Sequence, residues 1–287
     1  MTMSGSVERD ATALPTLTAV EPLSRTTWRD RLTDVFSFND HRRSRWVARH
    51  AAALPGGTRI LDVGAGPCRY RHLFAHCRYE SQDFAQYEGH DEGLFSDKGT
   101  WGYGQIDHVS DAREIPVADG SFDAVLCTEV LEHVPEPIAV VRELARILRP
   151  GGRLLLTAPL GSGLHQEPYH FYGGYTPHWY RRFLADAGFD DIVVEANGGF
   201  FKHYGQEGQR FSAMIDPRRM KRGWPWVPLF WLVTLPWFRV ALPLACHYLD
   251  RFDVHRGFTV GYHVEAVRRG RARAVDRGSP ADAGLPR

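Results

Sequence analysis

Apolar and polar positions along this chain alternate between two rhythms. Thr58–Val63, Phe122–Thr128 and Gly152–Ala158 are continuously apolar, β-rich runs, and Arg78–Asp83 and Gly104–Ser110 are further strand candidates. Between and around them the period changes to that of a helix. Trp28–Leu54 reads as one or two helices ending before Pro55-Gly56-Gly57, and a helical stretch runs from the turn after Val63 to about Cys77. In Pro137–Leu148, Ile138, Val141, Leu144, Ala145 and Leu148 share one face; Pro137 suits the first turn and Pro150-Gly151-Gly152 stops the pattern. Thr176–Ala187 is a further helix with Thr176 as N-cap and Gly188 as its stop. Asp191–Ala196 and Phe258–Arg268 complete seven strand candidates. Strand–helix alternation with continuously apolar strands predicts an α/β fold, a doubly wound and mostly parallel sheet covered on both faces.

Composition narrows this only a little. With 287 residues, 43% of them hydrophobic, the chain is long enough for a large core without disulfides or a structural metal. Its 35 basic and 34 acidic residues nearly cancel, so no global field draws in nucleic acid, and none is expected as a partner. The four cysteines at 68, 77, 127 and 246 show no CxxC spacing and point to a reducing compartment. Residues 1–24 and 271–287 read as disordered tails around one domain over 25–270, and residues 1–24 lack the apolar run of a secretory signal.

Chemistry concentrates first at Ile60-Leu61-Asp62-Val63-Gly64-Ala65-Gly66-Pro67-Cys68, a strand entering a glycine turn. Two glycines let a backbone approach a ligand at the carboxyl end of a strand. A dinucleotide-binding turn would need a third glycine at position 69, which is Arg69. Asp62 would also set a negative charge near a pyrophosphate, and it suits a ligand that carries a cation.

These residues, with others in order, resemble the class I S-adenosylmethionine-dependent methyltransferases, in particular their small-molecule, type 11-like branch. The resemblance covers about Arg59 to Phe189, with a return at Phe258–Arg268. It rests on the turn at 60–66, on Asp83 about 20 residues later, and on Ser110-Asp111-Ala112 with Ile115-Pro116. Ser121-Phe122-Asp123-Ala124-Val125, Glu129-Val130-Leu131-Glu132-His133-Val134 and Leu148-Arg149-Pro150-Gly151-Gly152 follow. Pro67-Cys68 departs from the common x-Gly. The resemblance implies a Rossmann-like sheet of seven strands with an antiparallel last strand, and S-adenosyl-L-methionine as cofactor. It implies a cofactor pocket of Asp62, Gly64, Ala65, Gly66, Asp83, Asp111, Ala112, Thr128 and Glu129. Asp83 would hold the ribose hydroxyls and Asp111 the adenine amino group; Asp111 is equally a residue type that turns back onto its own backbone.

The acceptor belongs beyond the carboxyl ends of the strands, where the loops Glu129–Pro137 and Leu160–Tyr175 meet. The second carries His165-Gln166-Glu167-Pro168-Tyr169-His170-Phe171-Tyr172. Transfer to a hydroxyl needs a base, for which His165 is the first candidate and His170 the second, with Glu167 as orienter. Each histidine also suits packing or substrate orientation, and His133 suits a border of the cofactor pocket. No metal site is expected. The activity implied is methyl transfer to a small-molecule, glycan or lipid-linked acceptor, at oxygen. The alternatives are a module that binds S-adenosylmethionine without turnover and a nicotinamide-dependent oxidoreductase.

Between the last two strands lies an insert, residues 198–257. Arg218-Arg219-Met220-Lys221-Arg222 precedes Trp224–Leu249, whose 26 residues hold one charge, Arg239, and four tryptophans. Pro236 is expected to split this segment into two arms, each too short to cross a bilayer core of ~30 Å. A peripheral membrane contact through 218–249, a lid over the acceptor, or a buried or dimer face are the readings it leaves, at the inner face of the cell membrane for a cytoplasmic chain.

Overall fold

The structure is a computed structural model that describes residues 27–89, 102–220 and 224–270. The two expected tails, and Lys221 and Arg222 of the basic run, lie outside those residues. The chain opens with helices α1 (Trp28–Phe36) and α2 (Phe38–Ala52). Strands β1 (Arg59–Val63), β2 (Arg78–Asp83), β3 (His108–Val109) and β4 (Phe122–Thr128) follow, then α3 (Pro137–Ile147) and β5 (Leu148–Pro159). After these come α4 (Pro177–Ala187), β6 (Phe189–Ala196), α5 (Phe200–Met214), α6 (Val227–Pro236), α7 (Leu242–Leu249) and β7 (Gly261–Arg268). Seven strands form one sheet in the order β3-β2-β1-β4-β5-β7-β6. The first five pair in parallel, and β7 runs antiparallel between β5 and β6.

The continuous apolar runs are explained by what covers each face. Successive strand residues point to opposite sides. Leu61, Val63, Val125, Cys127, Leu154 and Leu156 belong to one buried cluster, with Val141 and Leu144 of α3 and Tyr180 and Leu184 of α4. Their neighbours Ile60, Ala124, Leu126 and Leu155 belong to the other, against Trp46, Val47 and Ala51 of α2. No strand position at the centre faces water, so alternation disappears there. The expected caps form: Thr176 accepts from the Trp179 N–H, and Gly188 ends α4 at φ +91°.

Two expectations about helices fail. The stretch after the glycine turn becomes turns and a single 3-10 segment, Arg71–Phe74, because Cys68 is already left-handed at φ +54° and no α-helix propagates through it. Pro236 does not split the insert. One apolar helix of 26 residues runs from Val227 to Phe252, about 39 Å at 1.5 Å per residue. A π turn at Trp237–Ala241, closed by Leu242 N–H to Trp237 O, widens the helix ahead of Pro243. That widening takes up the clash a proline ring makes with the carbonyl four residues back. By length and composition this helix could cross a membrane. Its two ends, however, are both tied to α5. Asp250 accepts from the Gly199 and Lys202 N–H groups at the start of α5, and the Trp231 indole donates to Ser212 O near its end. The insert is therefore an antiparallel helical hairpin standing on the domain, anchored where Lys202 Nζ donates to Asp34 of α1 at 2.9 Å.

Arg153 on β5 is 2% exposed and pairs with Glu265 on β7. Removing one partner of a buried pair costs about 3–5 kcal/mol, because it strands the other charge. Glu265→Ala is expected to lower unfolding free energy by about that amount in urea denaturation, and adding Arg153→Met is expected to restore most of it. A loss below ~1 kcal/mol would show that water reaches Arg153.

Candidate active site

The site begins where β1 ends. Gly64 at φ +68° and Gly66 at φ +49° turn the chain through conformations that cost other residues strain. A Cβ on Gly64 would stand 2.3 Å from Val130 Cγ2, so the turn has no room for a side chain. Its amides are stitched to the end of β2: Ala65 N–H donates to Gln82 O at 3.0 Å and Gly66 N–H to Asp83 Oδ2 at 2.8 Å. At position 69, where a dinucleotide turn needs glycine for close helix packing, the Arg69 guanidinium pairs with Asp40 of α2. Cys68, the departure from the family pattern, tucks its side chain against Gly104.

The two buried acids at this end of the sheet have different environments. Asp83 is 6% exposed and accepts from backbone amides on both oxygens, Gly66 on Oδ2 and Ala85 on Oδ1. Each oxygen keeps a second lone pair for a ligand hydroxyl. Asp62 accepts the Tyr79 hydroxyl at 2.6 Å. Burial pushes its carboxyl up to about 7; the neighbouring Asp83 adds to the rise, while the Tyr79 bond and Arg71 oppose it.

Together these residues line a cleft of about 930 Å³. All nine residues of the expected cofactor pocket lie on it: Asp62, Gly64, Ala65, Gly66, Asp83, Asp111, Ala112, Thr128 and Glu129. Asp111 accepts the Arg113 N–H at 2.8 Å and pairs with its guanidinium, which holds the carboxyl below its usual range. Glu129, at φ +54°, accepts the Thr157 hydroxyl at 2.8 Å and pairs with Arg43 of α2 at 2.9 Å. Arg43 and Tyr79 carry no sequence signal for this site, since only the packing of α2 and the register of β2 bring them to it.

The three expected catalytic residues are placed differently. None of His165, Glu167 and His170 lines the cleft itself; His133, Gln166, Tyr169 and Phe171 do. His165 and His170 instead gather around His133, with ring centroids 4.7 Å and 5.8 Å from it and 4.6 Å from each other. Glu167 is exposed and acts on His170 only through its charge. His133 Nδ1 donates to Tyr169 O at 2.7 Å, and burial lowers its pKa to about 4. Beneath it Glu132 is 1% exposed, with its pKa pushed well up by burial and by Glu129, and its Oε2 has no hydrogen-bond partner. The sequence presents His133 only as a border residue; the fold makes it the link between cleft and loop. None of the described residues of the insert, 198–220 and 224–257, lines the cleft, so these do not lie over this site as a lid.

Residues 61–156 match the family described as methyltransferase domain. The chain is similar to a sarcosine/dimethylglycine N-methyltransferase of Halorhodospira halochloris, 30% identical over 51% of this chain and 57% of that one. It is also similar to a ubiquinone biosynthesis O-methyltransferase of Xanthomonas axonopodis pv. citri, 38% identical over 36% of this chain and 44% of that one. The chain thus spans about half the length of the curated relatives it matches. Among solved structures, a putative sarcosine dimethylglycine methyltransferase from Galdieria sulphuraria superposes with a TM-score of 0.48 at 17% identity, over 79% of this chain and 86% of that one. Residues 61–156, from within β1 to within β5, are thus a methyltransferase domain.

Proposed function

We propose that the whole chain is an S-adenosylmethionine-dependent methyltransferase that acts at an oxygen of a small-molecule, glycan or lipid-linked acceptor. The observation that carries this reading is the cleft itself. A glycine turn too tight for any side chain, a bidentate acid at the end of β2 and a buried acid held near neutrality face one space. The site fits the cofactor on its own chemistry. Asp83 retains acceptor capacity for two ribose hydroxyls, and Asp62 offers a charge to a cation in place of water. When bound, S-adenosylmethionine supplies a methyl group on a sulfonium.

The chain's own residues do the rest by holding and aligning, which in favourable intramolecular cases is worth up to ~7–11 kcal/mol. The acceptor hydroxyl gives up its proton within the imidazole cluster, where His165 and His170 flank His133, which lines the cleft. Away from that edge, the hairpin of the insert exposes Trp226 (57%), Leu229 (66%), Val233 (69%) and Trp237 (54%). Helix α6 is apolar all round, which suits a surface covered by lipid better than one left in water. It supports a membrane-peripheral position and a lipid-linked acceptor.

Methyl-labelled S-adenosylmethionine, purified protein and total cell extract, followed by organic–aqueous partition, test the reading. Label is expected in the organic phase with the wild type and at background with Asp83→Ala. Label in the aqueous phase alone would leave the activity and remove the lipid-linked acceptor, and equal label with Asp83→Ala would remove Asp83 from the site. His165→Ala is expected to leave S-adenosylhomocysteine affinity unchanged by calorimetry and to slow transfer by about 10²–10⁴-fold. Turnover at the wild-type rate would reject it.

The raised pKa of Asp62 sets a pH dependence. Below about 7 the carboxyl is neutral and a bound cation loses its counter-charge, so S-adenosylmethionine affinity is expected to fall by about tenfold per pH unit there and to level off above it. Asp62→Asn is expected to flatten that profile. The empty protein moves the opposite way: an acid whose folded pKa exceeds its unfolded value loses stability as pH rises from 3.8 to about 7.

A further inference from the structure

The histidine cluster has donor geometry that proton transfer alone does not call for. Glu132, His133 and His165 each present one ligand atom, and these three atoms lie within 4.8 Å of one another. Both ring orientations are set from behind. A backbone carbonyl only accepts, so His133 Nδ1 carries the proton it gives to Tyr169 O at 2.7 Å, and His165 Nδ1 carries the one it gives to Gly163 O at 2.9 Å. In each neutral ring the lone pair is then on Nε2. Histidines that bind metals are oriented in this way, by a carbonyl or carboxylate on the other nitrogen. Independently, Glu132 is 1% exposed and its Oε2 finds no partner. An orphaned buried carboxylate oxygen is costly unless a ligand completes it. Its other oxygen, Oε1, lies 3.8 Å from His133 Nε2, too long for a hydrogen bond.

We infer that Glu132, His133 and His165 form a binding site for a divalent transition metal of the zinc class. Two imidazoles and one carboxylate are the donors such ions take, and three protein ligands leave a coordination position open. Bonds of about 2.0–2.2 Å require the three donors to draw together by roughly 1 Å. The part-exposed loop that carries His165 supplies that movement. His170 remains outside the set, with its Nε2 3.1 Å from Ser162 Oγ. Glu129 is likewise engaged elsewhere, by Arg43 and Thr157. Of the three, His133 lines the cleft. Resting on the reading above, a bound ion would offer the open position to a hydroxyl oxygen of the acceptor and would ease loss of its proton, with His170 beside the set to take it.

Full-length protein stripped with chelator and titrated with Zn²⁺, and separately with Co²⁺ for its ligand-field spectrum, tests the site. One Zn²⁺ per chain is expected at submicromolar Kd, with a Co²⁺ spectrum of mixed nitrogen and oxygen donors. Glu132→Gln and His165→Ala are each expected to weaken binding by at least ~100-fold. The Glu167→Gln control, which changes an acid of the same loop outside the set, is expected to bind as wild type. S-adenosylhomocysteine affinity, measured on each variant, is expected to stay constant and shows that the fold is intact. Zn²⁺ binding weaker than ~100 μM in the wild type, or unchanged in both ligand variants, overturns the site. Tight binding with full methyl transfer in the stripped protein leaves the site and overturns its role at the acceptor. Tight binding with no methyl transfer under any condition leaves the site and removes the reaction reading instead.

Discussion

The bond from Gly66 N–H to the Asp83 carboxylate is the constraint on which the rest of the site depends. It ties the turn after β1 to the end of β2, so the two strands end level and the cleft has a floor. It also fixes the acid itself, since Ala85 N–H holds the other oxygen and the side chain loses its rotamer freedom before any ligand arrives. That pre-orientation is possible only because Gly64 and Gly66 take left-handed conformations and because Gly64 leaves Val130 its space. Asp62, one residue before the end of β1, then lies deep enough for burial to hold it near neutrality. One backbone turn thus sets the position of one acid and the proton affinity of another.

The second consequence of the parallel sheet is the division of labour among its loops. Strand ends of β1, β2 and β4 hold the glycine turn, Asp83 and Glu129, all lining one wall system. The loop after β5 returns across Glu132, where Phe171 and Tyr172 N–H groups both donate to Glu132 O. That crossing carries His165 and His170 to His133 and seals the Glu132 side chain away from water. Polar groups collect here because the strands stop here, leaving side chains that no layer of helices covers.

Much of this was legible in the sequence, and the failures have physical causes. The strands and the helices α3 and α4 follow from apolar runs and turn chemistry, which are local, and the nine cleft residues from the family resemblance that the motifs in order carry. The missing helix after Cys68 turns on a single positive φ, which no periodicity reports. The helix continues past Pro236 into a π turn ahead of Pro243, a local widening that a proline count does not foresee. Arg43 and Tyr79 reach the site from distant segments, and nothing around either residue in the chain marks it as a partner of Glu129 or Asp62. Glu167, chosen for its place between two histidines, stays exposed while Glu132, in the single 3-10 turn Leu131–His133, becomes the acid of the cluster.

The sequence by itself determined the sheet, its two covered faces and the acids and glycines that end its strands. Each of these is encoded by residues within a few positions of one another, while the seven-stranded arrangement with its antiparallel last strand came with the family resemblance. Tertiary structure decided which histidine touches the cleft, which glutamate loses its water and where the apolar insert stands. Those outcomes depend on long-range packing: a loop from residue 160 onward closing over residue 132, and an insert hairpin anchored by Lys202 on Asp34. Ionisation and ligand-binding capacity follow the solvent and charges around a group, and these exist only once distant segments have met.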